Sequence, residues 1–308
     1  MIIVRLQGGL GNQMFQYAYG YALAHQNQVE LLLDVGLLRG DSRNKLAVKR
    51  SFELHHFGVQ NVFVTHQIMR KFSVSANASM YDKIFHRIYR ASGKYKMVVQ
   101  HEQDFDKSHL RLRHDEMCLA GRWQSEMYFQ SVRDDIRSIF SPAKLRPHPS
   151  AEVMLDDFKT SVSVAVHVRR TDYKKHSVYS EKIGALSKGY YDESMQLVMS
   201  KLKSDAENVR FYFVSDDIAW CRLNWEELPN VAFVELPAHE NAHISDFWLL
   251  TQADHCIISN STFAWWGAYL GSKSRIVVAP ANWAKSQDYT PEKILRKDWL
   301  NIDNTFED

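Results

Sequence analysis

Cysteine is scarce in this chain of 308 residues: Cys118, Cys221 and Cys256 are far apart, odd in number and form no CxxC. That excludes a disulfide framework and a zinc knuckle, and it fits a reducing compartment. No apolar run approaches the roughly 18–20 residues that span a bilayer. Nor does the N-terminus have the layout of a signal peptide, since the first apolar stretch meets Arg5 at once. These two absences point to a cytoplasmic enzyme of bacterial type. An excess of positive charge is missing too: Lys+Arg 38 against Asp+Glu 36 makes nucleic acid an unsuitable main partner. Any anion site must therefore be local. Internal repeats and low-complexity tracts are absent as well.

What remains is ordinary globular material, 45% hydrophobic and 24% charged, long enough for two domains with their own cores. Ile2–Leu6 reads as a strand, 13–26 as a helix and Val29–Val35 as a second strand, which makes a βαβ unit. The stretch from about 40 to 140 is less periodic and reads as mostly helical. Ser141–Ser150 holds three prolines and suits a linker, dividing the chain into 1–150 and 151–308. Beyond it, strands at Val162–Val168, Arg210–Ser215, Val231–Leu236, His255–Ser259 and Arg275–Ala279 alternate with helices near 190–203, 217–224, 244–252 and 261–270. The pattern is that of a parallel α/β sheet covered on both faces. One further segment, Lys83–Lys96, places Lys83, Arg87, Arg90, Lys94 and Lys96 beside Ile84, Phe85, Ile88 and Tyr89 at helical spacing. It reads either as a packed helix with a solvated side or as a peripheral membrane contact at the inner face.

Four turns carry the chemistry. Gly8-Gly9-Leu10-Gly11-Asn12-Gln13 joins the first strand to the first helix. It is neither a dinucleotide fingerprint, since Met14 stands where a third glycine is needed, nor a P-loop. Tight βα packing explains the glycines as well as a ligand loop does, and Asn12 and Gln13 favour the ligand. His167-Val168-Arg169-Arg170-Thr171-Asp172 closes a strand, where ligands of open α/β sheets collect. Two adjacent arginines suit a diphosphate, with Asp172 steadying one of them. An internal Arg–Asp pair beside a core His167 is the competing reading. Asp216 and Asp217 follow a strand and suit either ribose hydroxyls or a helix cap. Asn260, Ser261 and Thr262 open a helix, as phosphate ligands or as caps. Asp104-Phe105-Asp106 has the spacing of a metal-holding D-x-D, but a three-residue pattern is weak and no metal site is expected. The pair His55-His56 lacks metal-ligand partners at useful spacing and reads as structural.

These blocks together resemble the α-1,2-fucosyltransferase family along nearly the whole chain. GGLGNQMFQYAYGYALA looks like the family's opening motif, HVRRTDY like its arginine-pair signature, and FYFVSDDIAWC and LLTQADHCIISNSTFAWWGAYL like its later blocks. RSFELHHF, GRWQSEMYF and PANW also look like bacterial members. Thr171 departs from the pattern, where glycine is commoner.

The resemblance implies a GT-B-like fold of two Rossmann-like domains facing across a cleft. It implies inverting transfer of L-fucose from GDP-fucose to the 2-hydroxyl of a galactose-terminated acceptor, with no metal and no cofactor. On it, Arg169 and Arg170 grip the diphosphate, while Ser261 and Thr262, with Asn260, line the phosphate pocket. Asp216 or Asp217 meets the nucleoside, and Asn12 sits near the leaving group with Gly9 and Gly11 beside it. Asp172 is a candidate base, and His167 joins the donor site. Alternatives are an α-1,6- or O-fucosyltransferase and a non-catalytic glycan- or nucleotide-binding module.

Overall fold

The computed structural model describes residues 1–38, 50–60, 63–72, 80–100, 105–175, 177–203, 208–271, 275–286 and 294–307. The chain forms two compact units, Met1–Ile139 and Phe140–Asp308.

In the first unit β1 (Ile2–Arg5), α1 (Leu10–Asn27) and β2 (Leu31–Asp34) form the expected βαβ turn. They are followed by α2 (His66–Phe72), α3 (Met80–Ala91), β3 (Lys96–Val99), β4 (Met117–Ala120) and α4 (Arg133–Ile139). The sheet is wholly parallel in the order β2-β1-β4-β3. Ile2, Ile3 and Val4 of β1 are fully buried, which is what a central parallel strand requires. Helix α1 lies tightly on that strand. A Cβ on Gly20 would fall 2.2 Å from a Val4 methyl, so only glycine permits the approach. Beside it Ile3, Leu32, Phe72 and Cys118 form a small core that brings α2 onto the sheet.

The stretch from 40 to 140 has more helix than strand, as expected, but it also supplies two strands of the sheet that its sequence does not announce. Both β3 (KMVV) and β4 (MCLA) are four residues long. A run that short carries no readable period, and helix and strand are told apart by length.

The second unit contains α5 (Pro149–Phe158), β5 (Val162–Val168), α6 (Thr171–Lys175), α7 (Ser177–Lys182) and α8 (Lys188–Leu202). Next come β6 (Val209–Ser215), α9 (Ile218–Trp225), β7 (Val231–Phe233), α10 (Ala242–Gln252) and β8 (His255–Ile257). It ends with α11 (Thr262–Leu270), β9 (Val277–Pro280) and β10 (Leu300–Ile302). Its sheet is also parallel, in the order β10-β9-β8-β5-β6-β7. Val164, Val166 and Val168 project together into a core with Tyr190, Tyr191, Phe213 and Trp225, as the alternation of β5 implies. Trp265 and Trp266 of α11 are fully buried.

Ser141–Ser150 is packed rather than a loose connector, and it belongs to the second unit. Pro142–Lys144 makes a 3-10 turn, Leu145 is buried, and Pro149 opens α5. Proline's fixed φ suits a first helical position, so the composition that suggests a linker here starts a helix.

Candidate active site

In each sheet the strand order reverses beside the first strand of the unit. β1 has β2 on one side and β4 on the other; β5 has β6 on one side and β8 on the other. Such switch points leave a crevice beyond the carboxyl ends of two neighbouring strands, where ligands of parallel α/β sheets bind. The four polar turns found in the sequence lie at these edges.

At the β1/β4 edge, Gly8 holds φ +78°, the left-handed region that favours glycine. Gln13 is fully buried; its amide donates to the Gly8 and Ser51 carbonyls at 2.9 Å and accepts from Glu53 N–H at 2.9 Å. Gln16 similarly brackets Gln7 through its backbone N–H and carbonyl. Both are fixed by the fold, so the ligand role suggested for Gln13 passes to Asn12. Asn12 is half-buried, and its Oδ1 accepts from Gln124 Nε2 at 2.6 Å. Gln124, beyond β4, is a partner that the sequence reading missed: GRWQSEMYF stands out as a block, but only the sheet order sets it beside Asn12. A Cβ on Gly9 would meet nothing within 4 Å, so the backbone there faces open space, whereas Gly11 is buried within α1.

At the β5/β8 edge the structure separates two arginines that the sequence treats alike. The Arg169 side chain is 31% exposed, with Nε 3.3 Å from Asp216 Oδ2. Arg170 is 4% exposed. Its Nε lies 3.3 Å from Asp217 Oδ2, its Nη1 pairs with the Glu307 carboxylate, and its guanidinium stacks 3.7 Å above Trp220. A guanidinium so enclosed serves as a strut.

Both aspartates are engaged by the turn itself. Asp216 accepts from the backbone N–H groups of Arg170 at 2.9 Å and Thr171 at 3.1 Å. Asp217 is the N-cap of α9, accepting from Trp220 N–H at 3.3 Å. The cap reading therefore describes their observed contacts. Thr171, at the departure from the family pattern, donates its hydroxyl to the Asp216 carbonyl at 2.9 Å.

His167 is 5% exposed, with Nδ1 2.8 Å from the Ser259 hydroxyl. Burial, reinforced by the Arg169 charge, pushes its pKa down to about 3. It is a neutral core histidine under the next turn. Asn260 is also buried, its Nδ2 donating to the Gly184 carbonyl at 3.0 Å while its own carbonyl accepts from Tyr173 OH at 3.1 Å. Ser261 is the N-cap residue of α11 but makes no side-chain cap bond, and Thr262 is half-buried at the first helical position. Their hydroxyls and the leading N–H groups of α11 open the helix at the β8 end.

Glu307 gave no signal in the sequence. Its segment pairs back on 185–187: Glu307 N–H donates to the Ala185 carbonyl at 2.8 Å and Ser187 N–H to the Thr305 carbonyl at 3.1 Å. The carboxylate thereby reaches both Arg170 and Lys174, the latter at 2.6 Å. Burial pushes its pKa up, but those two cations outweigh burial and hold it below the usual range. In α10, burial pushes the Asp246 carboxyl up to about 6, against the opposing pull of His243 and His239.

The side chain of Asp172 and the whole of Asp104 lie outside the described residues. Asp106 caps a 3-10 turn by accepting from Ser108 N–H at 2.8 Å. His55 Nδ1 lies 2.7 Å from the Phe52 carbonyl, and His56 pairs with Glu53 at 3.5 Å.

Fold and turns together define a class of parallel α/β protein with polar turns gathered at the switch point of each sheet. The chain belongs to glycosyl transferase family 11, whose model matches residues 64–303. It is 30% identical to an α-1,2-colitosyltransferase of Escherichia coli over 98% of this chain and 99% of that one. It is 27% identical to an O-antigen biosynthesis glycosyltransferase of the same species, over 96% and 99%. The pig galactoside α-(1,2)-fucosyltransferase 1 is 28% identical over 64% of this chain and 55% of its own length. Among solved structures, the α-1,6-fucosyltransferase NodZ soaked with GDP-fucose aligns with a TM-score of 0.47 at 13% identity, over 90% of this chain and 94% of that one.

Proposed function

We propose that this glycosyltransferase moves L-fucose from GDP-fucose to the 2-hydroxyl of a terminal β-galactoside, with inversion and without a metal. The observation that carries the reading is the arrangement of polar groups at the neighbouring ends of β5 and β8. It sets the partly exposed Arg169 at one strand end and, at the next, the hydroxyls of Ser261 and Thr262 with the leading N–H groups of α11. Neighbouring parallel strands are about 4.8 Å apart, so both reach one diphosphate.

As the anomeric bond breaks, the departing GDP gains negative charge. A fixed guanidinium and a helix N-terminus stabilise that charge more in the transition state than in the ground state. The same positive field takes the place of a divalent cation. Arg170, Glu307 and Asp216 hold the Arg169 turn against β6, and His167 with Ser259 supports the α11 turn from below. In the first unit Asn12, fixed by Gln124, and Gly9 keep the ligand role that the family resemblance gives them.

The acceptor hydroxyl passes its proton to a carboxylate. Asp172, which follows the arginine pair, is the candidate. Replacing it by Asn tests this: the base variant keeps donor binding and loses turnover.

Likeness to the α-1,2-colitosyltransferase over nearly the full chain supports colitose as a second transferred sugar. The 2-linkage is common to both readings. GDP-fucose and GDP-colitose are offered separately with a lactose-type acceptor, and product linkage is read by NMR. An α-1,2 fucosyl product is expected. Preferred turnover of GDP-colitose replaces the donor, while transfer to the 6-hydroxyl overturns the linkage.

A further inference from the structure

Helix α3 presents apolar side chains on two sides. Its inner side is packed and satisfied. Phe85 and Tyr89 stack at 6.1 Å and Tyr89 stacks on Tyr95 at 5.2 Å. Tyr89 OH donates to Glu116, Lys71 pairs with the same carboxylate at 3.3 Å, and His86 Nδ1 lies 2.9 Å from the Lys71 carbonyl.

The outer side is different. Met80 is 78% exposed, Tyr81 73%, Ile84 48% and Ile88 66%. At about 100° per residue these four occupy one continuous arc. Lys83 and Arg87 flank it on one side and are exposed, as are Lys94 and Lys96 just beyond the helix. Between Lys83 and Lys96 the sequence has five Lys or Arg and no Asp or Glu, although the chain as a whole is nearly neutral. A solvated helix face carries polar residues, and single exposed apolar side chains are ordinary, but four together form a patch.

We propose that this face of α3 docks on an anionic lipid bilayer. Met, Ile and Tyr side chains enter the headgroup boundary, while lysine and arginine stems lie along it with their charges on lipid phosphates. The cation cluster selects an anionic surface over a neutral one. The contact is peripheral, since no described helix is long and apolar enough to cross a membrane. A three-turn helix face is small beside the roughly 800 Å² per partner of a stable protein interface, which favours lipid over a second copy.

The test is flotation of the full chain with phosphatidylcholine vesicles, with and without about one-third phosphatidylglycerol. Binding to the anionic vesicles is expected to exceed binding to the neutral ones by about tenfold and to weaken in high salt. Ile84→Ser with Ile88→Ser, and separately Lys83→Gln with Arg87→Gln, should each reduce it about tenfold. These sites are exposed, so thermal melting should not change. Equal binding to both vesicle types, no binding to either, or undiminished binding by the Ile84/Ile88 variant overturns the proposal. So does a concentration-dependent dimer in sedimentation that the same substitutions abolish, because it assigns the face to a second copy.

Discussion

The crevice beyond β1 and β4 and the crevice beyond β5 and β8 occupy the same position in their sheets but are built from different chemistry. The first is held by neutral amides: Gln13 and Gln16 saturate the backbone around Gly8, and Gln124 holds Asn12. The second is held by charge, with Arg169 on Asp216 and Arg170 between Asp217 and Glu307 over a buried neutral His167. Amides fix a turn without creating a field. Ion pairs fix it with charge: Arg169, Arg170 and Lys174 stand against Asp216, Asp217 and Glu307, and of the two arginines it is Arg169 that is exposed to meet an anion. The contrast also teaches that adjacent residues need not share a role, since the turn after β5 leads Arg169 and Arg170 into different surroundings.

The largest effect is expected at Arg170. Arg170→Ala leaves Glu307 and Asp217 facing a buried gap and should cost about 3 kcal/mol of stability, the lower end for a broken buried pair because Asp217 is 36% exposed. Arg169→Ala should melt like the parent and lose about a hundredfold or more in turnover, roughly 3 kcal/mol of transition-state stabilisation. Thermal melts and kcat/KM on both variants decide it. Equal melting temperatures with equal activity losses would break the distinction between strut and ligand.

Acid should separate the crevices next. His167 is neutral in the folded protein and protonates near 6.5 when unfolded, so the unfolded chain binds more protons from about pH 6.5 down to about 3. Stability then falls as pH falls, by up to about 1.4 kcal/mol per unit. The lowered pKa of Glu307 works in the same direction at lower pH: its contribution is complete above about 4.5 and is lost as pH drops through the folded value. Urea midpoints at pH 7, 5.5 and 4 should decline, and His167→Gln should flatten the upper part of that decline. An unchanged slope in His167→Gln removes His167 as its source.

In the amide crevice a pair of glycines gives a smaller contrast. Gly8→Ala forces a side chain into positive φ and places Cβ 2.6 Å from Asn12 Nδ2, costing about 1–2 kcal/mol. Gly9→Ala meets open space and should leave the melt within about 0.5 kcal/mol. If the loop faces substrate, Gly9→Ala raises KM while the fold is intact; an unaltered KM takes that loop out of the site. The smallest change is expected from chelation: EDTA should alter turnover less than about twofold. Loss of activity in EDTA with recovery on adding Mn²⁺ or Mg²⁺ would overturn the metal-free reading.

The sequence by itself determined the parallel second sheet, the first βαβ unit and the addresses of the polar turns. Long buried strands, β-branched runs and the glycine turn write those features into local composition. It also carried the family, because GGLGNQ, HVRRTD and SNSTFAWW keep their residues and order. Strands β3 and β4 were not legible, being too short to show a period. Tertiary structure alone decided which polar residue faces solvent and which braces the turn. Arg169 and Arg170 differ through Asp217, Trp220 and Glu307, groups 47 to 137 residues away. Gln124 meets Asn12 across 112 residues for the same reason. Side-chain burial and pairing depend on which strands become neighbours, and a parallel sheet makes neighbours of strands far apart in the chain.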